Sequence, residues 1–479
     1  MSLKAFRLSL AVFVATSLPA LAATTQADAD KIRDALKPYL GPMTDQVKIQ
    51  PMDDGYKATL DFTALLAEAK AQGFDASLSP LEFTAKPAGG DIWKLHQEGD
   101  VSFAAKFPGG YVNEKFTGMT QDITLDLAQG LITEVLGGAK TVSIDEQVPD
   151  QKGHSATVKM TGDGLTVKSN TKANPDGGSD TAFTEAFGTW AMTVHSDAEG
   201  QPMDIAVKSA GGTFDGSIVG LQGRPMLDVW RFMIAHIKQK PTAADQGELK
   251  SALSASLPLF QSMSNNGAMT KVDISTPLGN FGAEKIGFTL NANGLVKDGM
   301  FQEGLSVEGL TIPPGVAPAW ANALVAKNTS LDVKITGFDL ATWSKGMVDN
   351  ADFSKTDPVP KSVVDALALG ILTTGAATIT IGPSSISNNT YNLSVQGAFS
   401  AGPAAQPSGK ATVKMTGFDD VMKALTGAPA EAGLKDSGAV MIVAKGLGKT
   451  GGDGSISWDI EATKDGQFLV NGTDVKKLK

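Results

Sequence analysis

The sequence predicts an α+β fold that is mostly antiparallel β: extended curved sheets with short helices at strand ends and a central helical pair. Three observations predict it. Many short segments alternate apolar and polar residues and are separated by turn signals. Glycine is abundant, 53 in 479 residues, and aromatics are only 6%, which suits strands joined by tight turns better than a helical bundle. A single strongly amphipathic helical pattern interrupts the strands at mid-chain.

At the N-terminus, Lys4 and Arg7 precede an apolar stretch over 8–18, and Ala20-Leu21-Ala22 has the small-x-small pattern of signal-peptide cleavage. The expectation is a signal peptide over 1–22, cut after Ala22, and a periplasmic or otherwise exported mature chain. Loss of Lys4 and Arg7, with no acid among residues 1–22, takes the formal net charge from -10 to -12. That acidity argues against nucleic acid as a partner. No later apolar run is long enough to span a bilayer, so no transmembrane span is expected in the mature chain. The absence of cysteine excludes disulfides, thiolate metal sites and thiol nucleophiles.

Residues 28–40 carry Ile32, Leu36 and Leu40 at helical spacing and stop at Gly41-Pro42. Tyr56, Ala58, Leu60 and Phe62 then alternate as a strand, and Thr63 opens a short helix toward Gly73. Strand followed by short helix recurs. Residues 156–162 read Ala-Thr-Val-Lys-Met-Thr-Gly and 411–417 repeat them letter for letter, with a looser version at 332–337. Phe338-Asp339 and Phe418-Asp419 follow the two later copies, where glycine would turn the chain and Asp could cap a helix. After the first copy, Asp163-Gly164 predicts a turn and a second strand over 165–168. Further strands are expected at 190–194, 203–207, 286–290, 377–381, 391–395, 455–461 and 467–470.

The helical pattern over 225–238 places Met226, Leu227, Trp230, Met233, Ile234 and Ile237 on one face, and a second pattern runs through Leu249 and Leu253 toward Pro258. This pair, within 221–267, divides an N-terminal β-rich part (24–220) from a C-terminal one (268–479).

No catalytic constellation emerges. His96, His154, His195 and His236 show no metal-ligand spacing. The run from Gly446 to Thr450 resembles the end of a phosphate loop, but Val443 stands where its first glycine belongs. The stretch 174–180, with Glu185, has calcium-type oxygens but Ser179 where a calcium loop needs glycine, so a polar turn is the better reading. Ser169 and Lys172 match Ser-x-x-Lys on a strand, whereas that motif's serine opens a helix. The acid pairs Asp53-Asp54 and Asp419-Asp420 read as turn and helix-start residues. No catalytic residue, metal or cofactor is assigned.

The C-terminal half, through Leu310-Thr311-Ile312-Pro313-Pro314, the strand and cap 331–339 leading to Trp343, and the closing hairpin 465–472, resembles an exported alphaproteobacterial family, the domain-of-unknown-function family numbered 2125. The strand-Gly-x-Asp-helix units are more loosely similar to AsmA-like envelope proteins. The first resemblance implies no activity and transfers no catalytic residue. The second implies a long curved sheet with an apolar inner face that handles lipid near bilayers.

The leading expectation is a non-enzymatic periplasmic protein that binds a lipid or other apolar ligand in a β-groove, with Met226, Trp230, Met233 and Ile237 as ligand contacts. The same pattern describes a packed core closed by a helix. The alternative is an envelope structural or protein-interaction module without ligand. A periplasmic hydrolase built on distant carboxylates ranks third.

Overall fold

The computed structural model describes residues 24–475 except 64–65, 68–69, 71–74, 150–154, 197–201, 237–240, 243, 374, 404, 430–431 and 433–436. The expected signal segment with Ala20 and Ala22, and also His154 and Ile237, lie outside the described residues. The fold is α+β and dominated by strands, and the described strand pairings are antiparallel. The chain divides into two compact units: residues up to 263 together with 345–361, and 264–344 together with 362–479.

In the first unit, helix α1 (Gln26–Leu40) starts at Thr25, whose hydroxyl accepts a hydrogen bond from the Asp28 amide at 3.2 Å. Its Ala29, Ile32, Leu36 and Leu40 are buried, as their spacing predicts. They pack on a meander of β1 (Val47–Met52), β2 (Gly55–Leu60), β4 (Leu81–Pro87), β5 (Ile92–Phe107), β6 (Gly110–Asp126) and β7 (Leu131–Pro149). Tyr56, Trp93, Ile123 and Leu125 are among the core residues that the strands contribute. Strand β3 (Asp75–Leu78) pairs with one end of β5 and β4 with the other.

Strands β5 to β8 (Ser155–Ala173) run 16 to 19 residues, about 50–60 Å at the usual strand rise. Here a sequence expectation fails. Asp163-Gly164 does not turn the chain; β8 continues through it, in register with β7 on both sides. Gly164 takes φ +61° inside the strand, at the point where β9 (Ser179–Phe187) hands over to β10 (Trp190–Ser196) as the neighbour of β8. The Asp163 amide donates to Thr189 O at 2.9 Å and the Gly188 amide donates to Asp163 O at 2.7 Å, so flanking strands hold the extended path.

The core face of β7 continues across β8, β10 and β11 (Met203–Ser209) through the ladder Ile144, Met160, Met192, Val207. These side chains are half-buried, and among the described residues no apolar side chain between Val142 and Phe232 is fully buried. After β12 (Gly211–Leu221) come α2 (Gly223–Ala235), α3 (Gln246–Ser256) and β13 (Ser262–Thr276). Gln246 donates to Asp352 Oδ1 at 2.8 Å and Lys250 to Asp349 O at 2.9 Å, which ties α3 to the 345–361 segment.

The second unit is a meander of β14 (Gly279–Asn293), β15 (Gly299–Glu308), β16 (Asn328–Phe338), β17 (Ala377–Ser387), β18 (Asn392–Gly402), β19 (Ala405–Thr416) and β21 (Ile456–Ala462), with the two-residue β20 (Lys449–Thr450) also paired to β21. Its core lies at one end, where Met415, Ile456 and Trp458 pack under Phe418 of a helix at Phe418–Thr426. Both later copies of the repeat behave as strand, glycine, helix. Gly417 is left-handed at φ +70°, and a Cβ there would run into the Thr390 carbonyl oxygen. Asp339 caps as expected, its carboxylate accepting from the Thr342 amide and hydroxyl, both at 2.8 Å. Asp419 does not cap; it lies in the first helical turn and pairs with Lys445 at 2.5 Å.

Candidate functional site

The strand register of the second unit places large apolar residues opposite one another on a single face. Phe301, Ile335, Ile379 and Phe399 form one row across β15 to β18, and Phe288, Leu305 and Leu331 form another across β14 to β16. Toward β19 and β21 the same face runs through Leu393 and Met415 to Ile456 and is covered. Over β15 to β17 it is open: Phe301, Leu305, Leu331, Ile379 and Ile386 are each 41–48% exposed. Single exposed apolar residues are normal on a protein surface, whereas neighbouring ones on one sheet face make a patch. The opposite face is polar and self-satisfied, with Gln302 Nε2 donating to Asp332 Oδ1 at 2.7 Å and Thr378 bonded to Ser400 at 2.8 Å.

Beyond the ends of these strands lies an open depression of about 430 Å³ lined by Leu310, Thr311, Ile312, Asn322, Ala323, Val325, Lys327 and residues 388–390. Asn388 builds its wall. The side-chain amide donates to the Ala323 and Val325 carbonyls at 2.9 Å each, and its oxygen accepts from the Thr390 and Tyr391 amides at 2.8 and 3.1 Å. The Tyr391 hydroxyl donates to Leu324 O at 2.9 Å. Burial raises the pKa of that phenol, keeping it a neutral donor at physiological pH.

Of the helix residues expected to contact a ligand, Met226 is 42% and Met233 50% exposed. Trp230 is half-buried and its Nε1 donates to Tyr39 O at 2.8 Å, so it anchors α2 against α1. Phe232 and Ile234 are the buried residues of this helix. A cavity of about 240 Å³ beside α2 is lined by Arg224, Leu227, Asp228 and Arg231 together with Tyr39 and the 127–130 turn, and by neither methionine. A third, about 230 Å³, lies over β5 to β7 and includes Glu114, Lys115 and Asp145.

The described histidines are not isolated. His96 Nδ1 meets Asp122 Oδ1 at 2.8 Å and His195 Nδ1 meets Asp204 Oδ1 at 2.7 Å, each a directly opposed cross-strand pair on an exposed face. The Asp122 hydrogen bond raises the His96 pKa above the ordinary histidine value, with Glu98 adding to it. His236 shares its Nδ1 with Phe232 O at 2.8 Å and lies 3.4 Å from Asp245. None of the three cavities is lined by a histidine. Among the described residues, no cluster of three or more His, Asp or Glu is placed to hold a metal ion.

The remaining motifs resolve as local structure. Asn174 donates to Asp180 at 2.7 Å and accepts from the Asp176 amide at 2.9 Å, closing a polar turn. Asn174 and the Gly220 amide hold the Asp180 carboxyl below its ordinary pKa. Lys449 pairs with Asp459 at 3.0 Å, and Asp54 pairs with Lys86 at 2.7 Å.

The open face and the depression both fall within one stretch of sequence. That stretch matches a known family. The model of a family described as "Uncharacterized protein conserved in bacteria (DUF2125)" matches residues 231–463, slightly under half of the chain. The match extends N-terminal to the resemblance read from the motifs between 310 and 472 and contains most of it. No curated protein and no solved structure matches the chain.

The sequence pattern predicts strands at β16 and β17 but does not single out Phe301, Leu305, Leu331, Ile379 and Ile386 as contacts. The alternation of the first four lies in the sequence, but Ile386, seven residues after Ile379, reaches the same face through a register shift between Ile381 and Ser384 that alternation does not encode, and nothing in the pattern says what covers the face.

Proposed function

We propose that this chain is an exported, non-enzymatic protein that holds a lipid or another apolar ligand against the open face of its second unit. The observation that carries the reading is the patch formed by Phe301, Leu305, Leu331, Ile379 and Ile386, half exposed on a sheet whose other face is polar. Covering apolar surface is favourable by about 25 cal/mol per Å². A ligand laid across several such residues gains that energy with little reorganisation, because the strands are already paired. Export rests on the signal-peptide pattern at residues 1–22. Met226 and Met233 on α2 of the first unit, exposed and seven residues apart on one helix, are an alternative apolar surface and not part of this one.

The test is native mass spectrometry of the mature protein purified gently from its exported location, with lipid analysis of the same sample. A reproducible apolar species, lost in Leu331→Lys with the fold intact, is the expected result. A clean apo mass under conditions that retain lipid on a known carrier overturns the reading.

A second reading, an envelope protein-interaction module, has its own observation. Val440, Ile442 and Val443 on the helix Ser437–Leu447 are 56–64% exposed. Crosslinking from Val443 in the native envelope would capture a specific protein on that reading.

A further inference from the structure

We propose that the depression at the ends of β15, β16 and β17 receives the anionic headgroup of a lipid whose chain lies along the open face; this rests on the reading of that face as a ligand surface. The first argument is charge. The chain carries 51 acids against 41 basic residues, yet none of the ten residues lining this depression is acidic and one is Lys327. Both other cavities mix signs, Asp228 with Arg224 and Arg231 in one and Glu114 and Asp145 with Lys115 in the other, so only this depression offers a cation with no acid beside it in its lining.

Hydrogen-bonding capacity is the second argument. Thr311, Asn322, Asn389 and Thr390, whose side chains all carry donors, line the same depression as Lys327, a set of residues suited to phosphate or carboxylate oxygens. The wall is preorganised, because Asn388 is committed to four backbone partners and Lys327 is fixed by its own backbone, its amide donating to Ser387 O and its carbonyl accepting from the Leu310 amide, both at 2.8 Å. A site that is already formed spends little binding energy on ordering itself.

Third is position. Val307, Thr329 and Ile386 are paired across the last rows of the sheet, and Leu310, Lys327 and Asn388 stand two or three residues beyond them. At the usual strand rise the depression therefore lies within about 10 Å of the apolar rows, and Ile386 to Ile379 extends roughly 20 Å further. Polar groups at the end of an apolar track are the arrangement an amphipathic molecule matches.

The experiment uses the full mature chain and measures affinity for lysophosphatidylglycerol, lysophosphatidylcholine and a monoacylglycerol of one chain length, with glycerol phosphate as the headgroup alone. Lysophosphatidylglycerol should bind about tenfold more tightly than the monoacylglycerol, the effect of one exposed charge-assisted hydrogen bond. Lys327→Gln should abolish that preference and leave monoacylglycerol affinity unchanged. Asn389→Asp, a second surface change that keeps the wall, should reverse the preference. Circular dichroism confirms that both variants fold. Equal affinity for all three lipids in the wild type overturns the headgroup assignment while the apolar face stands. Glycerol phosphate binding as tightly as the lipid overturns it in favour of a free-oxyanion site. If none of the lipids binds, the ligand reading of the face fails and takes this assignment with it.

Discussion

The two units carry the same alternating code on their strands and use it differently. In the first, Ile123 and Leu125 are sealed because the α1 stripe of Ala29, Ile32, Leu36 and Leu40 lies within the same core. In the second, Leu305 and Leu331 occupy equivalent alternating positions and are nearly half exposed. The second unit even repeats the contrast internally, since its helix at Phe418–Thr426 covers Met415 and Trp458 while β15 to β17 lie open. Alternation decides which side chains share a face. A covering element decides whether that face is core or surface.

Substitutions on the two faces break the comparison most strongly. Leu125→Ala should cost about 2–5 kcal/mol of stability in urea unfolding, as for other fully buried leucines. Leu331→Ala should cost less than about 1 kcal/mol, because it leaves no cavity. Equal losses would mean that the open face is packed in solution.

The next largest effect compares two left-handed glycines. Gly417→Ala forces a Cβ toward the Thr390 carbonyl and should destabilise by about 2 kcal/mol or more, read as a fall in melting temperature. Gly164→Ala has the same sign of φ but open surroundings, its nearest contact being the Gly188 amide at 3.7 Å, so about 1 kcal/mol is expected. Reversal of that order would contradict the crowded surroundings of Gly417 and the open ones of Gly164.

The smallest effect is electrostatic. His96 should titrate above the ordinary value in an NMR pH series, and Asp122→Asn should bring it down. Because the folded-state pKa is raised, this pair stabilises fully below the unfolded pKa, and the contribution disappears as pH rises through the folded one. Both partners are exposed, so the change in stability is small.

Much of the fold was legible. The α1 stripe, the alternating segments after residue 190 and the strand-glycine-helix units are short-range patterns, and each formed where periodicity placed it. The longest strands were less legible. β6 mixes Asn113, Glu114, Thr117, Gly118 and Gln121 among its apolar residues, and partners on both sides, β5 and β7, extend it through a stretch with weak local preference. Asp163-Gly164 was misread for the same reason, since flanking strands overrode a local turn signal.

The candidate site was legible only in part. The amphipathic helix was found, but Trp230 engages Tyr39 and Phe232 provides burial that its place on the helical wheel did not suggest. The motif at 310–314 was noticed as a resemblance, yet its place in the depression depends on Asn388, 78 residues beyond Leu310. Such a juxtaposition arises from strand register, which no local spacing encodes.

The most direct test of the central claim is a fluorescence titration of the mature chain with an apolar probe, run in parallel on the wild type, Leu331→Lys and Met233→Lys. The account predicts saturable binding to the wild type and to Met233→Lys, and at least a tenfold loss in Leu331→Lys with melting temperature preserved. Binding that survives Leu331→Lys and is lost in Met233→Lys would move the ligand surface to α2, and absence of binding throughout would contradict the open face as a ligand surface.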